Sequence, residues 1–155
     1  MDSEPEAGIY ARESAYIDRY VQVGVAGGRV LSVSFPEAPD DDAGTDLPLL
    51  DRVGAYLEGS EKDFSDVDVA MTMPTDQRDV LEVLRDVPYG ENVSVDALAR
   101  TTPGLDPDNE EADQLVRTAL AENPAPLVIP DHRVRDGPSA APPKVEQRLR
   151  SLEGL

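Results

Sequence analysis

The residues best placed to do chemistry lie in one stretch, Asn123 to Val134, reading NPAPLVIPDHRV. A short apolar run (Leu127, Val128, Ile129) is closed by a proline and followed by an acid, the chain's only histidine and an arginine. Short apolar runs that end in proline read as buried strands reaching a surface. At such an exit a carboxylate beside an imidazole suits acid–base or nucleophilic work. A lone histidine beside an acid and an arginine is more commonly part of a structural network, here with Asp131, Arg133 and Glu153 as partners of His132 and Arg135. On the residues alone both readings stand.

The totals bound what this stretch can act on. A chain of 155 residues suffices for one domain or for two small units sharing an interface. The hydrophobic fraction of 39% permits a core, but aromatics reach only 5% and Trp is missing, so aliphatic side chains must fill it. There are 32 acids against 14 bases, a formal net charge of −18, and lysine occurs only as Lys62 and Lys144. An acidic, lysine-poor chain with good apolar periodicity points to a high-salt cytoplasm, where negative charge keeps proteins soluble and self-repulsion is screened. In ordinary salt such a charge argues against nucleic-acid partners. In molar salt repulsion is screened over about 3 Å, and the local distribution of charge matters more than the total.

With no cysteine, disulfides, Cys-ligated zinc and a thiol nucleophile are excluded. Asp40 to Asp42 lacks the spacing of a calcium loop, so neither metal nor cofactor is expected. No apolar run reaches the ~18 residues of a membrane helix, and the MDSEPEAG start has no basic or apolar signal region. The expectation is a cytoplasmic monomer with no membrane partner.

The elements that must position the site can be read from periodicity. Residues 1–8 are expected to be disordered. Alternation from Tyr20 to Phe35, with Gly27-Gly28 between the halves, predicts a β-hairpin, joined by a strand around Ile9 to Ala11. Inward positions in the second half are Val30 or Leu31, Val33 and Phe35. After a polar Pro/Asp/Gly loop (36–46), a helix is expected from Pro48 to Glu58, capped by Asp46, with Leu49, Leu50, Val53, Tyr56 and Leu57 on its apolar face. Val67, Val69 and Met71 suggest another strand.

Met73-Pro74 marks an expected boundary between units 1–73 and 74–155. Helices are then expected from Thr75, as a cap, to Asp86; from Val95 to Arg100, capped by Ser94; from Glu110 to Glu122, capped by Asn109; and from Lys144 to Leu152. Two short helices across a turn outline a helix-turn-helix.

The C-terminal half resembles the alkylguanine-DNA alkyltransferases, suicide DNA-repair proteins whose centre reads Pro-Cys-His-Arg-Val after Asn-Pro-x-Pro, with Pro-Tyr-Gly-Glu-x-Val-Ser upstream. Here VPYGENVSVDALAR (87–100) precedes ENPAPLVIPDHRV (122–134) and a terminal LEGL. The resemblance implies an α+β protein: a small N-terminal antiparallel sheet with a helix, then a helical, winged helix-turn-helix-like alkyltransferase domain. It implies DNA as partner, a flipped guanine as substrate and a cysteine as alkyl acceptor. Asn123, His132, Arg133 and Glu153 stand at the family's hinge asparagine, histidine, arginine and orienting glutamate.

Other positions depart from the pattern. Asp131 stands at the acceptor cysteine, Val95 at a tyrosine and Gln114 at the arginine that fills the vacated stack, while Arg117 and Thr118 replace small residues. The loop RDGPSAAPP (135–143) looks shortened. A carboxylate needs no activation but is a weak nucleophile toward an alkyl carbon. It can instead accept hydrogen bonds from a base edge.

The expected function is therefore a non-catalytic, alkyltransferase-like protein sensing alkylated guanine. Asp131, His132, Glu153 and Asn123 would form its centre, and Ser94, Val95, Gln114, Arg133 and Arg135 its DNA surface. Two alternatives remain: a protein-interaction scaffold that has lost DNA, and an enzyme using Asp131 with His132 for dealkylation or hydrolysis. Local charge bears on both. Residues 101–124 hold six acids and one base, Arg117, whereas 125–155 hold five bases against four acids.

Overall fold

The computed structural model describes residues 7–60 and 63–155. Three antiparallel strands, β1 (Gly8–Ser14), β2 (Arg19–Ala26) and β3 (Arg29–Ser34), pair in the order β1-β2-β3. The expected disorder of residues 1–8 falls mostly outside the described residues, but Gly8 already belongs to β1. The β2–β3 turn places Gly27 and Gly28 at φ 59° and 77°, values an L side chain rarely adopts. A register shift between Gly24 and Val25 decides which residue of β3 points inward. Val30 and Val33 are buried, and Leu31 is left 47% exposed.

Helix α1 (Pro48–Leu57) lays Leu50, Val53, Tyr56 and Leu57 into the core. Each such side chain fully buried contributes about 1.5–3 kcal/mol. The residue before α1 is Leu47, which offers no side-chain cap, so Asp46 does not cap this helix. Pro48 starts it instead, with its φ already set for the first turn.

The expected strand at Val67–Met71 is reduced to a single parallel bridge between Val30 and Val69. Its hydrogen bonds run from Val30 N–H to Asp68 O and from Ala70 N–H to Val30 O, both 2.8 Å. The edge of β3 is then claimed by another segment, Val33 N–H donating to Pro124 O at 2.9 Å. That bond ties the sheet directly to the stretch that carries the site.

The C-terminal half is helical: α2 (Thr75–Leu84), α3 (Val95–Thr101), α4 (Glu110–Ala121) and α5 (Pro143–Glu153). Thr75 lies inside α2 and does not cap it; Pro74 precedes the helix without a side-chain bond. Ser94 and Asn109 do cap, accepting from Ala97 N–H at 3.0 Å and Glu111 N–H at 2.9 Å. α2 and α3 both pack on α4, and Gly154 at φ 78° ends α5. One apolar cluster runs from Val21 and Val23 of the sheet, through α1, to Val145 and Leu149 of α5. Among the described residues no helix is long and apolar enough to cross a membrane.

Candidate functional site

The stretch Asn123–Val134 is buried as expected, but it is not a strand. Prolines at 124, 126 and 130 remove the N–H groups a ladder would need. The chain closes on itself instead: Ile129 N–H donates to Ala125 O at 2.8 Å, and Leu127 turns the corner at φ 81°. A bulky side chain in that region costs on the order of 1–3 kcal/mol and is tolerated only where its surroundings hold it. Leu127 is 2% exposed within the core. A single 3-10 turn, Asp131–Arg133, follows. The expected exit at a surface is therefore corrected. Asp131 and His132 are each 1% exposed and Arg133 7%.

This turn points its side chains into two different environments. On one side sits Asp131. Its Oδ1 accepts from Ser139 O–H at 2.5 Å, and its Oδ2 accepts from Ala140 N–H at 2.9 Å and Asn123 Nδ2 at 3.0 Å. Asn123 is itself fixed, donating to Ile129 O and accepting from Ala125 N–H. Burial pushes the Asp131 carboxyl above its ordinary range, and the donors from Ser139, Ala140 and Asn123 pull against that. The segment supplying two of those donors, 136–141, lies across the carboxylate.

On the other side sits Glu153, at the end of α5. Its Oε1 accepts from Arg133 Nε at 2.8 Å and Gly90 N–H at 3.1 Å. Its Oε2 accepts from Tyr56 O–H at 2.5 Å and Arg133 Nη2 at 3.1 Å, and lies 2.5 Å from His132 Nε2. Burial alone would raise this acid. Hydrogen bonds from His132 and Arg133, with Tyr56, hold it instead at about 2. The Tyr56 hydroxyl is driven well above its usual value by burial and by the adjacent Glu153 charge. Arg133 completes its set with Nη1 to Val87 O at 2.7 Å, while His132 Nδ1 is buried with no hydrogen-bond partner among the described residues. Arg150 braces the turn from α5, donating to His132 O and Val134 O.

The four residues expected at the centre, Asn123, Asp131, His132 and Glu153, are thus brought together, although Asp131 and Glu153 bind different partners. The five expected to form a DNA surface are spread. Gln114 and Arg135 are exposed, bonded to Thr118 Oγ1 and Asn92 Oδ1. Ser94 is half-buried as the α3 cap. The Val95 side chain is 1% exposed. Arg133, expected at the surface, is drawn into the interior by Glu153. Around Gln114 the exposed face of α4 carries Glu110, Glu111 and Asp113, and Arg117 spends its charge on Asp113 at 2.9 Å. Among the described residues no cluster of acids and histidine is placed to hold a metal.

Tyr56, Ser139, Asp136 and Arg150 were not singled out from sequence. Tyr56 left a signal, since a phenol on an apolar helix face needs a partner for its hydroxyl. Asp136 left none: its Oδ1 accepts from Val95 N–H at 2.7 Å, a second cap on α3 from a remote loop.

Residues 75–149 match the family described as 6-O-methylguanine DNA methyltransferase, DNA binding domain. A methylated-DNA–protein-cysteine methyltransferase of Methanothermobacter thermautotrophicus is 33% identical over 113 residues, covering 69% of this chain and 60% of that protein. One from Methanopyrus kandleri is 32% identical over 79 residues, covering 51% and 55%. The chain thus spans less than two thirds of each relative.

Among solved structures, a Mycobacterium tuberculosis O6-methylguanine methyltransferase variant superposes with a TM-score of 0.74 at 21% identity, covering 96% of this chain and 91% of that one. Mycobacterium tuberculosis OGT in complex with DNA gives 0.70 at 23%, covering 95% and 91%. The O6-methylguanine-DNA methyltransferase of Pyrococcus kodakaraensis gives 0.71 at 20%, covering 96% and 100%. The α+β architecture expected from sequence is the fold of these neighbours, and residues 75–149 are similar in sequence to the methylated-DNA–protein-cysteine methyltransferase family.

Proposed function

We propose that this chain is a non-catalytic, alkyltransferase-like member of the methylated-DNA–protein-cysteine methyltransferase family that binds DNA, with alkylated guanine as the lesion class to test. Asp131 takes the place of the acceptor cysteine. The observation that carries the reading is the state of that residue: a carboxylate 1% exposed, with both oxygens already bonded to Ser139, Ala140 and Asn123. A carboxylate so enclosed and bonded leaves no approach for a substrate atom, so the geometry gives no support to an Asp131/His132 dealkylase or hydrolase.

DNA binding draws its support from the family match over 75–149, which contains α2 to α4, and from the DNA complex of the Mycobacterium tuberculosis relative. The acidic, lysine-poor composition supports a high-salt cytoplasm as the setting, where the charge of α4 is screened. Units 1–73 and 74–155 remain the division we adopt, with α3 and α4 as the helix-turn-helix.

A scaffold that binds protein instead of DNA is the second reading. It is favoured by the acidic α4 face, where Glu110, Glu111 and Asp113 surround Gln114 and the one nearby arginine is already paired.

The test is fluorescence anisotropy in molar KCl with duplexes carrying guanine or O6-methylguanine, followed by mass spectrometry of the Asp131 peptide. Binding without an adduct is expected. An alkyl adduct on Asp131 would overturn the non-catalytic reading. Negligible affinity for both duplexes would overturn DNA binding and leave the scaffold.

A further inference from the structure

We infer that Asp131 is a latch: its carboxylate holds the segment Asp136–Ala141 shut over the Asn123–Asp131 centre, so that the site is occupied by the protein's own chain. This rests on the contacts of the segment and does not depend on whether DNA binds elsewhere.

The segment is fastened in three places. At its start Asp136 accepts from Val95 N–H at 2.7 Å and, through its carbonyl, from Arg117 Nη1 at 3.1 Å. Next, Gly137 passes so close to the core that a Cβ there would meet Leu120 Cδ1 at 2.7 Å and Val134 and Val95 methyls at 3.1 Å. Only at its far end does it meet the site, where Ser139 O–H and Ala140 N–H fall on the two oxygens of Asp131. Ser139 Oγ also accepts from Ala141 N–H at 3.1 Å, which folds the segment around the carboxylate.

The first two fastenings lie on α3, α4 and Val134. They anchor the start of the segment, and Ala141, 6% exposed, enters the apolar core just ahead of α5, so the stretch left to the carboxylate is Ser139–Ala140 between these anchors. Removing the acid leaves the Ser139 hydroxyl and the Ala140 amide, both half-buried, without acceptors, a condition a chain relieves by turning those groups to water. A ligand that displaces the segment must therefore bring paired N–H or O–H donors, because Oδ1 and Oδ2 lose Ser139 and Ala140 together. A ligand presenting a bare acceptor there meets the carboxylate lone pairs and is refused.

The chain has no cysteine, so Asp131→Cys places a single thiol at the centre while removing the latch. The expected result, in molar KCl with the fold checked by circular dichroism, is rapid reaction with an aromatic disulfide reagent. Amide exchange at Ala140 and Ala141 should then be roughly tenfold or more faster than in the parent. Asp131→Asn, which keeps a carbonyl oxygen for Ala140 and Asn123 and can donate to Ser139 Oγ, should retain the parent's slow exchange.

Ser139→Ala, at a partly exposed position, guards against failure of the buried variant to fold and should also speed exchange at Ala140. A folded Asp131→Cys protein whose thiol stays protected would overturn the latch. So would Ser139→Ala with exchange unchanged at both amides; either result would assign closure to Asp136, Gly137 and the buried Ala141.

Discussion

The two sides of the Asp131–Arg133 turn bury one acid each and stabilise it by opposite means. Glu153 meets one countercharge, the Arg133 guanidinium spanning both of its oxygens, while His132 and Tyr56 share Oε2 and Gly90 supplies a backbone donor. Asp131 meets a hydroxyl and two N–H groups, Ser139, Ala140 and Asn123, which solvate a charge without cancelling it. The acids respond accordingly, Glu153 falling to about 2 and Asp131 rising above its ordinary value.

The partners also differ in where they come from. Glu153, at the end of α5, gathers Tyr56 from α1, Gly90 from the turn before α3, and His132 and Arg133 from the 3-10 turn, so it joins α1 to the last helix. Asp131 gathers only its own neighbourhood and one loop. The first cluster holds the two halves of the fold together, whereas the second governs access to one spot.

The largest test of that difference removes the charge from Glu153. Glu153→Gln leaves the Arg133 guanidinium, whose side chain is 9% exposed, without its counter-ion. Breaking one partner of a buried ion pair costs about 3–5 kcal/mol, a large share of the ~5–15 kcal/mol that holds a domain folded. Denaturant unfolding in molar KCl should show a loss of that size with an unchanged m-value. A loss under about 1 kcal/mol would mean that Tyr56 and Gly90, and not the charge, hold the cluster.

A second test separates the acids by pH. Glu153 has a folded pKa depressed from 4.5 to about 2, so its contribution is fully present above 4.5 and is lost as pH falls from 4.5 toward 2. The size is on the order of 3 kcal/mol. Asp131 works the other way. Its pKa is raised from 3.8, so the cost of its buried charge is present above the folded value and is relieved as pH falls through it. Stability measured against pH should therefore fall steeply below 4.5, and Glu153→Gln should flatten that limb.

The same contrast explains how much could be read from the sequence. Periodicity exposed the hairpin, α1 and the four later helices, because their apolar faces are local and regular. The caps Ser94 and Asn109 were legible for the same reason: a cap acts within one turn of its own helix. The strand expected at Leu127–Ile129 was not there, because three prolines forbid the ladder that the apolar run suggested. The strand at Val67–Met71 shrank to one bridge because Pro124 took the remaining edge of β3. That competition is between residues far apart in sequence.

At the site, Asn123, Asp131, His132 and Glu153 could be named from their order along the chain, but not their sides. Tyr56 reaches Glu153 from a helix nearly a hundred positions earlier, and Ser139 reaches Asp131 because Gly137 lets the loop press against Leu120. Burial of the whole centre, which decides what Asp131 can do, follows from these long-range contacts.

The smallest effect belongs to Asp131→Asn and sharpens the comparison most. The amide keeps the size of the acid. Its oxygen can accept from Ala140 N–H and Asn123 Nδ2, and its nitrogen can donate to Ser139 Oγ, which already accepts from Ala141 N–H and has a second lone pair. The substitution trades stronger charge-assisted bonds for ordinary ones but removes the cost of burying an uncompensated charge. The two changes oppose each other, so the stability at pH 7 should stay within about 1 kcal/mol of the parent, well short of the loss at Glu153. Unfolding measurements on the two variants side by side decide the point. Should Asp131→Asn cost as much as Glu153→Gln, Asp131 would also be a charge the fold requires, and the two sides of the turn would be one cluster.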